Sequence, residues 1–181
     1  GRIFEQYSRP FCLLQNVAKK VYAVDVGYGQ LAWKIRSDES VKTIERTNIK
    51  NCELNQIYNE TDEIADLLVM DLSFISIKKV LSNLKKLLNP EFHEMICLIK
   101  PQFEAGQEFI EKGGVVRDKK IHVEVIKSVI EFATELGYTA LDLTSSPIKG
   151  PSGNIEYLVH LSTKSEPKND FTAEEVVEKA F

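Results

Sequence analysis

The sequence has no pair of cysteines at a metal-binding or redox spacing. Cys12, Cys52 and Cys97 are scattered and odd in number, which excludes a disulfide framework or a CxxC zinc site and predicts reduced, mostly buried thiols. Long hydrophobic runs are missing as well. The longest, LLVM at 67–70 and MICLI at 95–99, fall far short of the ~18 apolar residues that a membrane span needs. No signal-peptide pattern opens the chain, so the expectation is a soluble, cytoplasmic protein with no membrane partner. An excess of positive charge is lacking too: Lys and Arg number 23 against 27 Asp and Glu, a net charge of -4. The chain as a whole is therefore not built as a self-sufficient nucleic-acid binder, and any RNA contact must come from local patches or a further module. His93, His122 and His160 have no ligand spacing and read as structural, so no metal site is expected.

What is present is a core-forming chain of 181 residues, 43% of them hydrophobic, enough for a single domain. Short, continuous apolar runs at 20–26, 41–46, 65–71 and 94–100 read as strands buried on both faces. Between them LAWKIR (31–36), IKNCELNQIY (49–58) and SIKKVLSNLKKLL (76–88) carry the i, i+3, i+4 pattern of amphipathic helices. A longer helix is expected from Asp118 to Leu136, with Gly137 placed to cap its end. YTALDLTSS (138–146) and NIEYLVHLS (154–162) are strand-like. The PIKGPSG between them is too short for a crossover, so these strands should be antiparallel. A polar stretch then leads to a short helix at about 172–180. The order is that of an α/β fold: a Rossmann-like doubly wound sheet, mostly parallel, with an antiparallel last strand, the methyltransferase variant of that architecture.

Ligands of such sheets bind outside the carboxyl ends of the strands. Asp25 and Gly27-Tyr28-Gly29 follow the 20–26 run; Glu45-Arg46-Thr47-Asn48 follow the next; then come Asp71-Leu72-Ser73-Phe74 and Lys100-Pro101-Gln102-Phe103-Glu104, and Glu156 begins the last strand. A carboxylate placed as Asp25 is can accept both hydroxyls of a ribose; the alternative is an ordinary capping residue. The glycines beside it do not complete a G-x-G-x-x-G, because Ala32 and Trp33 stand where the third would fall, so they serve the turn. A lysine at the mouth of a buried strand, as Lys100 is, loses solvation and becomes available as a proton acceptor or hydrogen-bond donor. Flanked by Asp71 and Glu156, it would form a coupled set rather than three separate structural ion pairs. Between Phe103 and His122 lies a basic loop with Gly106, Gly113 and Gly114 as hinges. Lys112, Arg117, Lys119 and Lys120 could grip a phosphate backbone there, or simply be solvated.

VYAVDVGYGQLAWKIR, ERTN, DLSFIS, LIKPQFEAG, KGGVVRD and SPIKGPSGNIEYLVHL together resemble the TlyA/hemolysin A family, whose catalytic domain is similar to the FtsJ-type RNA 2'-O-methyltransferases. The resemblance covers residues 11–163, with 1–10 a remnant of an upstream linker or first strand and 164–181 a polar stretch and short helix. It implies S-adenosylmethionine as methyl donor and a ribose 2'-hydroxyl of ribosomal RNA, free or in a ribosomal subunit, as acceptor. Of the family's Lys-Asp-Lys-Glu set, Asp71, Lys100 and Glu156 match. Asp25, Val26, Gly27, Asn48, Asp71, Leu72, Ser73 and Phe74 are implied cofactor contacts. A glycine-rich cofactor loop, the first catalytic Lys and the family's N-terminal S4-type RNA-binding domain have no counterpart in the sequence. This implies a sheet without its central first strand and residues missing between about Tyr7 and Phe11. A non-catalytic RNA-binding relic of the fold is the competing reading. A haemolytic toxin is disfavoured, because the sequence has neither a spanning run nor long amphipathic alternation.

Overall fold

Val21–Val24 is a run of strand-forming residues between polar neighbours, and it forms a strand, β2, buried along its whole length. The computed structural model describes residues 2–4, 18–29, 33–167 and 170–181. Where the hydrophobic content predicts one core, the chain packs as two compact units, residues 1–71 with 80–95 and residues 72–79 with 96–181.

In the first unit β2 pairs in parallel with β3 (Val41–Ile44) on one side and β1 (Arg2–Phe4) on the other, and β1 pairs in parallel with β4 (Leu67–Met70). The order β3-β2-β1-β4 corrects one expectation. The central strand is present, because Arg-Ile-Phe at 2–4 takes the place between β2 and β4 that would otherwise leave two rows of backbone groups unpaired. The proposed break between Tyr7 and Phe11 lies outside the described residues, as does Cys12. A second correction concerns β3, which is half-buried throughout rather than covered on both faces, because it ends the sheet.

Helix α1 (Trp33–Arg36) follows β2. The helix expected over 49–58 divides into a 3-10 turn, Ile49–Asn51, and a one-turn helix α2, Leu54–Ile57. The carbonyls of Ile49 and Cys52, which a continuous helix would use internally, instead accept the Asn83 amide at 2.8 and 2.9 Å, and Gln56 Oε1 accepts the Glu53 N–H to start the second piece. The core of this unit is built on two tyrosines. Tyr22 meets Tyr58 edge-to-face at 4.7 Å, and the buried Tyr58 hydroxyl donates to Leu87 O at 2.8 Å and accepts the Ala65 N–H at 3.2 Å.

Helix α3 (Lys78–Lys86) buries Val80, Leu81 and Leu84 and leaves its lysines outside, as its periodicity requires. Strand β5 (Glu94–Ile99) runs into the second unit. Pro101, at the first helical position, opens the short α4 (Pro101–Glu104). The long α5 (Lys119–Glu135) begins where Asp118 accepts the Lys120 N–H, and ends at Gly137, whose φ of 86° only glycine adopts freely. Strands β6 (Thr139–Ser145) and β7 (Tyr157–Ser162) are antiparallel, with Ser145 opposite Tyr157, and lie in the order β5-β7-β6. The last strand is thus reversed, as the short PIKGPSG connection predicts. Helix α6 (Ala173–Ala180) closes the chain, its Glu174 and Glu178 paired with Lys127 and Lys119 of α5.

Tyr58 joins two buried backbone groups through one hydroxyl. Tyr58→Phe leaves both unsatisfied and is expected to lower stability by ~1–3 kcal/mol, measured by urea unfolding of the two proteins.

Candidate active site

In the first unit the functional candidates follow the carboxyl ends of parallel strands. Asp25 comes directly after β2 and is buried, with Oδ1 accepting the Gly27 N–H at 2.7 Å. That bond turns the chain sharply and fixes the plane of the carboxylate. The Asp25 backbone is locked as well, donating to Ile44 O and accepting from Thr47 N. The Gly-Tyr-Gly turn that follows is tied to Glu45, which accepts the Gly29 N–H at 2.6 Å and holds Arg36 through both oxygens. This is a structural use, in line with glycines that serve the turn. Val26 is exposed and Gly27 half-exposed. Asn48 is exposed, and its carbonyl oxygen caps the turn at Lys50 N. Asp71 is half-buried just past β4.

In the second unit Lys100 meets Ser73, and Glu156 meets Gln102. Lys100 is 8% exposed, and its Nζ donates to Ser73 Oγ at 3.0 Å and lies 5.9 Å from the Phe103 ring centre. Leu72 is buried beneath, while Phe74 is 90% exposed and leans on Phe103 at 5.1 Å. Glu156 is 5% exposed, and its Oε1 accepts the Gln102 amide at 2.9 Å. Gly150 faces the same carboxylate so closely that a Cβ there would stand 2.3 Å from Oε1. Glu104 secures the Ser76–Ile77 backbone, accepting from Ser76 Oγ and Ile77 N at 2.6 Å each. A cleft of about 430 Å³ opens here, lined by Phe74, Gln102, Phe103, Gly114, Ser152 and Asn154 among others.

Backbone strain gathers at the same segments. Among the described residues the non-glycine positions with positive φ are Arg46 (54°), Phe74 (66°) and Ser152 (58°). They fall in ERTN, DLSF and GPSGN, three of the stretches singled out by sequence. A bulky residue held there costs on the order of 1 kcal/mol and persists only where its surroundings enforce it, a pattern typical of functional sites.

The basic loop differs from its expected character. Val115 and Val116 are buried, Glu111 bridges Val115, and the buried Asn154 side chain donates to Gly114 O at 2.8 Å and accepts from Val116 N at 3.4 Å. Gly113 and Gly114 therefore form a fixed turn rather than hinges. Arg117 pairs with Glu111, and Lys119 pairs with Glu178 while lying over the Phe181 ring, so both are engaged in surface contacts. Lys112 and Lys120 are exposed. His122, structural as expected, is the anchor of this loop. Val116 O can only accept, so Nε2 carries the proton and donates to it at 2.8 Å, and Nδ1 accepts the Tyr157 hydroxyl at 2.7 Å. Cys52 and Cys97 are buried free thiols, with Cys97 pushed up to about 12 by burial and so unreactive. No metal-binding cluster occurs among the described residues.

Gly150 and Asn154 are residues at the site that sequence reasoning passed over, and Gln102 and His122, though named, were given no partner by it. The glycines of PIKGPSG carried a signal, since a turn that crowded suggests close packing. The partners of Gln102 and His122 are 54 and 35 residues away, and no local pattern encodes them. Burial holds His122 and His93 below the ordinary histidine range, so the unfolded chain binds more protons than the folded one near pH 6. Stability should be full above ~6.5, the ordinary histidine value, and fall as pH drops through it toward the depressed folded values. Urea midpoints between pH 8 and pH 5 would show this decline, and His122→Gln should flatten its slope.

Known proteins bear on this arrangement. The model of the FtsJ-like methyltransferase family matches residues 11–163. The chain is 45% identical over 150 residues to Hemolysin A of Brachyspira hyodysenteriae, covering 82% of this chain and 60% of that protein. It is 40% identical over 154 residues to the 16S/23S rRNA (cytidine-2'-O)-methyltransferase TlyA of Mycobacterium tuberculosis, covering 85% and 56%. The chain thus spans little more than half the length of these curated relatives. The solved structure of a "putative hemolysin" from Lactococcus lactis superposes with a TM-score of 0.84 at 44% identity, over 92% of this chain and 79% of that one. The N-methyltransferase NodS of Bradyrhizobium japonicum, at 15% identity and a TM-score of 0.55, shares the fold alone. By its motifs, its parallel sheet with a reversed last strand and these matches, the chain belongs to the FtsJ-like methyltransferase family.

Proposed function

We propose that this chain is the catalytic domain of an S-adenosylmethionine-dependent methyltransferase that modifies a ribose 2'-hydroxyl of ribosomal RNA. The observation that carries the reading is Lys100: a buried lysine at the mouth of β5, its amine held on Ser73 Oγ at 3.0 Å, in a family whose relatives include rRNA (cytidine-2'-O)-methyltransferases. A lysine is not kept that far from water for solubility, and a strand end is where ligands of such sheets bind.

The donor set fits the cofactor. Asp25 offers a buried carboxylate whose plane is fixed by the Gly27 N–H, suited to accepting ribose hydroxyls, with Val26 and Gly27 exposed or half-exposed beside it. Asn48 and Asp71 are the further proposed contacts of the same unit, and the family resemblance adds Leu72, Ser73 and Phe74 as candidates. Bound there, S-adenosylmethionine supplies a methyl group already activated on a sulfonium. The protein's task is then to align the acceptor oxygen and take its proton, because a ribose hydroxyl is a weak acid. Lys100, as the neutral amine, orients the hydroxyl and accepts its proton as the methyl is transferred, and Glu156 stabilises the ammonium that results. Phe74 and Phe103 form an aromatic wall of the cleft, a surface on which an unstacked base can rest. Lys112 and Lys120 are the candidates for phosphate contacts, and the net charge of -4 calls for a further RNA-binding segment, such as an S4-type domain.

A second reading has its own support: residues 5–17, between β1 and β2, contain no glycine, and the lack of a glycine-rich cofactor loop there favours an RNA-binding relic of the fold. Calorimetric titration of S-adenosylmethionine into the protein separates the two. Binding that Asp25→Ala weakens at least tenfold supports the enzyme, and no binding supports the relic. Lys100→Ala should then abolish methyl transfer to unmodified ribosomal RNA while leaving the cofactor Kd within about twofold; unchanged turnover would remove Lys100 from the chemistry.

A further inference from the structure

Glu156 stands two residues past Asn154, immediately before β7, where an isolated buried carboxylate would swing toward any donor it could find. Two features leave it one position. Gly150 presents bare backbone to Oε1, so close that a Cβ would reach within 2.3 Å of it. From the other unit-internal neighbour, α4, Gln102 donates its amide to the same oxygen at 2.9 Å, in a bond between two side chains that are 7% and 5% exposed.

The amide of Gln102 shows a preference that packing alone does not explain. Its Nε2 is spent on Glu156, while its own Oε1 is buried and accepts no hydrogen bond among the described residues. A glutamine selected only to fill the core would be expected to satisfy both ends of its amide or to be replaced by an apolar side chain of the same shape. The amide is thus directed at the Glu156 carboxylate alone among the described residues. Gln102 also lies two residues after Lys100 and lines the cleft with Phe74 and Phe103, so one turn of helix carries both the buried amine and the group that sets the carboxylate.

We propose that Gln102 is a positioning residue for methyl transfer. It acts through Glu156, holding that carboxylate against Gly150 in the orientation that serves Lys100, and it takes no part in the chemistry itself. The proposal rests on the methyltransferase reading. It predicts that Gln102→Leu lowers kcat ten- to a hundredfold while the Kd and KM for S-adenosylmethionine stay near those of the unaltered protein; the melting temperature falls by a few degrees, because the buried Glu156 loses a donor.

The test is a double-mutant cycle on the intact protein, with methyl-labelled S-adenosylmethionine and ribosomal RNA from cells lacking the modification, under single-turnover conditions. If Gln102 works through Glu156, Gln102→Leu costs little further rate once Glu156→Gln is present. Additive losses would overturn the proposal, as would wild-type kcat in Gln102→Leu or a loss that appears in Kd instead. Should Glu156→Gln fall below detection, the split between kcat and Kd in the single variant decides. Absence of methyl transfer by the unaltered protein would sink the enzymatic reading, an outcome distinct from a wild-type enzyme indifferent to residue 102.

Discussion

The burial of charge at the mouths of strands is the constraint around which the second unit is arranged. Lys100 and Glu156 are both more than nine-tenths buried, and an ion in such a place is tolerated only with fixed partners. The partners are specific. Ser73 receives the amine, Gln102 bonds the carboxylate, and Gly150 leaves room for it by having no side chain. Each partner constrains a different piece of chain, so the segment 72–79, helix α4 and the turn before β7 are all bound to the requirements of two charges.

The second layer of support is built from buried neutral groups. Asn154 sits between Gly150 and Glu156 in the chain, and its side chain fastens the Gly113–Val116 turn through both its amide and its carbonyl. His122 continues the chain of contacts, joining Val116 O to the Tyr157 hydroxyl. Tyr157 immediately follows Glu156, so the backbone that carries the carboxylate is pinned from behind by a buried imidazole held neutral by its surroundings. Burial also raises the Tyr157 phenol, which keeps it a donor to that imidazole. The result is a rigid frame with strain confined to Phe74 and Ser152 at its opening.

The first unit solves a simpler problem with the same means. Parallel strands bring Asp25, Arg46 and Asp71 to their carboxyl ends, and the Gly27 N–H and the Ile44 and Thr47 backbone fix Asp25 before any ligand arrives. Glu45 is consumed in holding the Gly-Tyr-Gly turn and Arg36. This distinguishes the two acidic residues in function, although both stand at strand ends.

Much of this was legible in the amino-acid sequence, because the signals are local. Apolar runs of six or seven residues located β2, β3, β4 and β5; the short Pro- and Gly-rich link between β6 and β7 required an antiparallel pair; Asp118 and Gly137 marked both ends of α5. Charges abutting those runs picked out Asp25, Asp71, Lys100 and Glu156. The sequence could not show that three residues, Arg-Ile-Phe, form the central strand, because a three-residue strand has no period of its own and is defined by neighbours on both sides. Nor could it show that KGGVVRD is a pinned turn, that Lys119 is engaged with Glu178, or that Gln102 selects the position of Glu156. Periodicity and strand-end charge follow from the chemistry of adjacent residues, whereas these features depend on pairs separated by tens of residues, whose meeting is decided only when the chain has packed.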